Sequence, residues 1–155
     1  MIFLTLRWDY MHRYINTDDY IGGFERSSID EMVSTIELQY ENWCSTYAPI
    51  AVDPNDGDSV HKVMRCLKSM GGEVAVSLAK SVFYSDYREM VEKVETPCTI
   101  IQSSNDMAVP VGIGQYLEKK MKGVATLEII DMIGHFPQLT AHLKLVELVK
   151  AVVGI

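Results

Sequence analysis

The sequence predicts an α/β fold in which a helical block interrupts a small parallel sheet. Three observations point there. Ile2 to Leu6 is a short apolar, partly β-branched run, which reads as a buried strand. About 70 residues of mostly helical pattern come after it. From Thr99 onward the pattern becomes strand–helix–strand–helix with short links, the arrangement that builds a parallel sheet. The expected sheet therefore has three parallel strands.

Each element has its own signal. Arg7 to Gly23 is polar and aromatic, ends in Gly22-Gly23, and reads as a loop. Ser28-Ile29-Asp30-Glu31 offers a capping box, in which the Ser28 hydroxyl and Glu31 carboxylate satisfy free N–H groups. Ile29, Met32, Val33, Ile36, Tyr40, Trp43 and Tyr47 follow at helical spacing, as one long helix or two short ones limited by Pro49. Asp53-Pro54-Asn55-Asp56-Gly57-Asp58 is a turn-rich break. Val60, Val63, Met64, Leu67 and Met70 form the apolar face of a second helix, ended by Gly71-Gly72. Val74, Ala75, Leu78, Ala79, Val82 and Phe83 share one side of a third, and Tyr87 to Val94 is a short fourth. The closing unit is a strand at Thr99 to Gln102, a helix at Ile113 to Met121, a strand at Ala125 to Ile130 and a helix at Leu139 to Val152.

Composition narrows the function classes. The chain has 155 residues, 48% hydrophobic and 23% charged, the balance of a soluble globular domain. A net charge of −7 leaves no basic face on the scale nucleic acid requires. Cys44, Cys66 and Cys98 are odd in number and widely spaced, so a disulfide framework and a CxxC motif are both excluded, and a reducing compartment is expected. The apolar start is too short for a signal-peptide core, and no apolar stretch reaches ~18 residues. No membrane association is expected.

Two strand exits can carry chemistry. Ser103-Ser104-Asn105-Asp106-Met107-Ala108-Val109-Pro110 leaves the first strand of the closing unit, and Ile133-Gly134-His135-Phe136-Pro137-Gln138 leaves the second. Catalytic groups of open α/β sheets gather at the carboxyl ends of strands, so Asp106 and His135 are placed to meet. A carboxylate beside an imidazole holds its tautomer and stabilises the imidazolium formed in general-base catalysis. The order acid then base is that of the Ser, Asp, His triad. The alternative is that Asp106 is a turn residue and His135 a helix-start residue. Asp131 reads as a surface neighbour of His135, and His12, His61 and His142 lie in polar contexts. No serine has glycine on both sides at two residues' distance, the pattern of a nucleophile elbow; Ser69 has Gly71 after it but Leu67 before it. Cys98 lies at the wrong end of its strand. Gly112-Ile113-Gly114 is a poor dinucleotide loop, and P-loop, HExxH and EF-hand patterns are missing, so neither a cofactor nor a metal is expected. Phe24, Met32, Trp43, Tyr47 and Phe83 are either pocket lining or helix core.

Longer stretches resemble a known family. Arg13-Tyr14-Ile15-Asn16, Asp19-Tyr20-Ile21-Gly22-Gly23-Phe24-Glu25, Tyr40-Glu41-Asn42-Trp43, Phe83-Tyr84-Ser85-Asp86-Tyr87-Arg88, Thr96-Pro97-Cys98 and the two strand exits are similar to plant karrikin- and strigolactone-receptor α/β-hydrolases. Ile133 to His142, with Phe136 and Thr140-Ala141-His142, resembles their DWARF-like paralogue branch. The resemblance implies a partial α/β-hydrolase fold with an inserted four-helix cap: residues 1–12 a first strand and divergent link, 13–94 the cap, 95–155 the closing β-α-β-α of the core. It implies Asp106 and His135 as catalytic acid and base. It implies Tyr14, Phe24, Met32, Trp43, Tyr47, Val82, Phe83 and Ala108 as pocket lining, with Tyr47 where phenylalanine is usual. The family binds and slowly hydrolyses butenolides, then recruits an F-box protein and a transcriptional repressor. A small apolar butenolide-like ligand, those partners and a cytoplasmic and nuclear location are what the resemblance implies.

The departures also set expectations. The oxyanion loop, the serine elbow and the first five strands of the family have no counterpart, and residues 7–12 break its pattern. The chain resembles a carboxy-terminal half with a new start, a truncated domain holding two of three triad residues. Without a nucleophile the isolated chain is expected to be inactive. The alternatives are a non-catalytic ligand- or partner-binding remnant and an incomplete gene product without independent activity. An open apolar edge beside Ile2 to Leu6 further predicts self-association.

Overall fold

The computed structural model describes residues 13–155 apart from Asp19, together with the backbone of residues 3–5. The expected link at residues 7–12, the ends of the first strand run at Ile2 and Leu6, and His12 lie outside the described residues.

In chain order the elements are β1 (Phe3–Thr5), α1 (Arg26–Leu38), α2 (Tyr40–Ala51), α3 (Gly57–Met70), α4 (Gly72–Phe83), α5 (Arg88–Val91), β2 (Cys98–Asn105), α6 (Val111–Lys120), β3 (Ala125–Ile133), α7 (Pro137–Thr140) and α8 (His142–Val153). The strands form a parallel sheet in the order β1-β2-β3. Cys98 is opposite both Phe3 and Ala125, so the three strands start level. The β2–β3 register shifts between Ser103 and Asn105. That irregularity comes one residue before Asp106 and frees the chain to turn at the sheet's carboxyl rim.

Four substantial helices, α1 to α4, lie between β1 and β2. Ile29, Val33 and Ile36 form the buried stripe of α1 at spacings of four and three. α1 packs on α4 and α2 on α3. Ala75 and Ala79 are the buried positions of α4, small enough to let it approach α1 closely. Asp56 caps α3, accepting from the Ser59 N–H at 3.1 Å. α6 covers one side of the sheet through Ile113 and Leu117, while Leu145 of α8 meets Ile130 and Met132 on another surface. None of the described helices is long and apolar enough to cross a membrane.

Several boundaries differ from expectation. The capping box at Ser28 does not form. α1 already starts at Arg26, and the Ser28 N–H donates to the Glu25 carbonyl at 3.1 Å from inside the first turn. The cause is upstream: Asn16 Nδ2 donates to Glu25 Oε1 at 2.7 Å and holds Glu25 at the helix start with extended backbone. The long stretch from Ile29 to Tyr47 divides at Gln39, whose φ of −140° is not helical. Pro49 sits inside α2, which runs two residues further to Ala51. A proline this near a helix end removes only one ladder bond. β2 and β3 each run three residues past their predicted ends, because pairing resumes beyond Ser103–Ile130 at Asn105–Ile133. The single helix expected at Leu139 to Val152 is two, α7 and α8, divided at Ala141 with φ −136°.

Candidate functional site

β2 ends at Asn105 and the chain turns at once. One oxygen of Asp106, Oδ1, accepts the N–H groups of Ala108 (2.8 Å) and Val109 (3.1 Å). A short polar side chain binding the backbone two and three residues on is the reason this residue type suits the turn. Gln102, buried in β2, braces the same loop by donating from Nε2 to the Val109 carbonyl at 2.8 Å. With Oδ1 fixed, Oδ2 points across the rim and lies 2.7 Å from His135 Nδ1. The turn role and the acid role are thus compatible, each using a different oxygen.

His135 follows β3. Its side chain is 16% exposed and that of Asp106 4%, so the pair is shielded but reachable from the imidazole side. A carboxylate accepts hydrogen bonds, so the tautomer that suits this contact has its proton on Nδ1, with Nε2 as the basic nitrogen. This is the arrangement of a general base held in one tautomer. The Phe136 ring meets the imidazole edge-on, with centroids 5.1 Å apart.

Asp131 faces elsewhere: its Oδ1 accepts from Ser104 Oγ at 3.2 Å and its carbonyl from Lys144 Nζ at 2.9 Å. His61 and His142 are exposed. Cys98 is buried at the amino end of β2, away from the rim, and burial pushes its thiol up, which disfavours the thiolate a nucleophile needs. Among the described residues no group of three or more His, Cys, Asp or Glu side chains forms a metal site.

The eight predicted lining residues fall into two linked groups. Tyr14, Phe24 and Phe83 form a triangle, with Tyr14 and Phe83 rings 4.8 Å apart and each 6.2 Å from Phe24. Met32, Trp43, Val82 and Ala108 border the same apolar cluster. Tyr47 belongs to a second cluster with Ala48, Ala51, Val52 and Phe136. The Trp43 and Tyr47 rings, stacked at 4.8 Å, bridge the two. Ala108 ties the larger cluster to the Asp106 turn through its N–H.

Sequence reasoning missed the contact between α2 and the His135 loop. The His135 N–H donates to the Ala51 carbonyl at 2.8 Å, and Val52 bridges Gly134 antiparallel. The available signal was Gly134 directly before the histidine, since glycine takes a positive φ at little cost.

No family model matches the chain. Among curated proteins it is 38% identical over 130 residues to the karrikin insensitive 2 receptor IA of Petunia hybrida, covering 83% of this chain and 47% of that protein. It is 33% identical over 138 residues to a strigolactone esterase of Arabidopsis thaliana, covering 89% and 52%. It therefore spans about half the length of the curated relatives it matches. Among solved structures, a hydrolase from Oleispira antarctica superposes with a TM-score of 0.79 at 26% identity, over 89% of this chain and 52% of the other. A bromoperoxidase from Bacillus anthracis reaches 0.83 at 14% identity, over 95% and 55%, a likeness of fold.

Proposed function

Since the chain is homologous to the karrikin- and strigolactone-receptor α/β-hydrolases, with a partial α/β-hydrolase fold, we propose that it binds a small butenolide and carries the acid and base of a Ser-His-Asp site. The observation that carries this reading is the 2.7 Å approach of Asp106 Oδ2 to His135 Nδ1. Asp106 fixes the tautomer and stabilises the imidazolium. His135 Nε2 takes the proton of a nucleophile and returns it to a leaving group.

On this reading residues 13–94 are a cap and residues 95–155 part of a core. The ligand meets Tyr14, Phe24, Met32, Trp43, Tyr47, Val82, Phe83 and Ala108. The proposal places the nucleophile outside residues 1–155, because none of their serines has an elbow pattern. An imidazole without a nucleophile organises a base but forms no acyl-enzyme. An F-box protein, a transcriptional repressor and a cytoplasmic and nuclear location belong to the same proposal, supported by the relatedness.

Calorimetric titration of the chain with 3-methylfuran-2(5H)-one tests it. Saturable binding is expected, weakened at least tenfold in Trp43→Ala. A flat titration of the unaltered, folded chain overturns the reading.

A further inference from the structure

The acid–base pair is held from two directions, and one of them is the helical block. The Gly134 N–H donates to the Asn105 carbonyl at 2.9 Å, tying the histidine loop to the strand that presents Asp106. The adjacent His135 N–H instead reaches the Ala51 carbonyl on α2 at 2.8 Å. Ala51 is the last residue of α2, so its carbonyl has no partner within the helix. The histidine's own backbone supplies that partner.

The seam admits no looser fit. Gly134 has a φ of +97°, and a Cβ there would lie 2.5 Å from Val52 Cα and 2.9 Å from the Ala51 oxygen. Ala48, Ala51 and Val52 are 0%, 2% and 0% exposed, so water does not replace the bond. Tyr47, stacked on Trp43, lies one turn before Ala51 on the same helix and shares its cluster with Phe136, next to His135. A group pressing on the Trp43 and Tyr47 rings therefore acts on the helix whose end holds the histidine.

We infer that Ala51, with Gly134 opposite it, is a positioning residue for His135, through which α2 sets the imidazole against Asp106. The inference rests on reading Asp106 and His135 as the acid–base pair. It adds that the pair's geometry depends on the helical block as well as on the sheet.

The test is NMR of the full 155-residue chain, following the His135 Nδ1–H resonance, assigned by its loss in His135→Gln. Gly134→Ala and Ala51→Val are expected to speed exchange of that proton with water at least tenfold, and exchange of the His135 amide likewise. A purely structural role for the seam would lower the melting temperature and leave Nδ1–H exchange in the folded protein unchanged. If Gly134→Ala does not fold, Ala51→Val, which crowds the buried seam and pushes the carbonyl off the His135 N–H, carries the same test. A resonance whose exchange is unchanged in the folded variant overturns the seam and spares the acid–base reading. Absence of the resonance in the unaltered chain overturns that reading and the inference with it.

Discussion

At the carboxyl ends of β2 and β3, polar groups are matched atom by atom. Asp106 divides its two oxygens between a turn and an imidazole, and Gly134 and His135 each spend a backbone N–H on a different partner. Across α1, α2 and α4 the matching is by area, with aromatic and aliphatic side chains meeting at van der Waals distance. The first kind of site fails when one atom moves, because a hydrogen bond weakens steeply with distance and angle. The second degrades in proportion to what is removed. On the proposed function the two kinds complement each other, fixed polar geometry for proton transfer and a forgiving apolar wall for a ligand. The Ala51–His135 bond is where they join.

Substitutions probe that contrast. The largest effect expected is on the support beneath the rim. Ile113 is 1% exposed between α6 and the sheet, and Ile113→Ala should destabilise the chain by about 2–5 kcal/mol, read from urea unfolding. A loss under about 1 kcal/mol would mean that the rim is not rigidly supported.

A smaller effect concerns alkaline pH. Burial pushes the Tyr20 phenol up to about 12, partly offset by the Arg13 backbone. Burial, with a side-chain contact to Cys44, likewise raises Tyr40 to about 12. A raised phenol favours the neutral form in the folded state. Its contribution is therefore fully present below pH ~10 and lost as the pH rises toward about 12. Chemical melts should show stability falling across that window, with a shallower slope in Tyr20→Phe. An unchanged slope would show that Tyr20 is not desolvated.

The smallest effect is expected at the proposed ligand wall. Tyr47→Phe removes one hydroxyl from an otherwise apolar stack, and should change butenolide affinity by no more than roughly tenfold, comparable to a single polar contact. A complete loss of binding would move Tyr47 from the area-matched class into the atom-matched one.

The legibility of these regions in the sequence follows the same division. The parallel sheet and the helical block were readable because hydrophobic periodicity reports burial directly, as at Ile29, Val33 and Ile36. The meeting of Asp106 and His135 was readable because both leave the carboxyl ends of neighbouring strands. The start of α1 was misplaced because a long-range bond from Asn16 to Glu25 outweighed the local capping signal at Ser28. The ends of β2 and β3 were set by partner strands, to which a single-strand pattern is blind. The Ala51 seam was unreadable for a related reason. It is made of backbone groups 84 residues apart, and only the presence of Gly134 hinted at a close approach.

On the proposed reading, Asp106 and His135 are an assembled acid–base pair, with no serine-elbow pattern among residues 1–155 to serve it. Release of p-nitrophenol from p-nitrophenyl acetate by the purified chain, beside His135→Ala, measures this most directly. No burst and the same slow background rate are expected for both proteins. A burst from the unaltered chain that His135→Ala abolishes would contradict that reading.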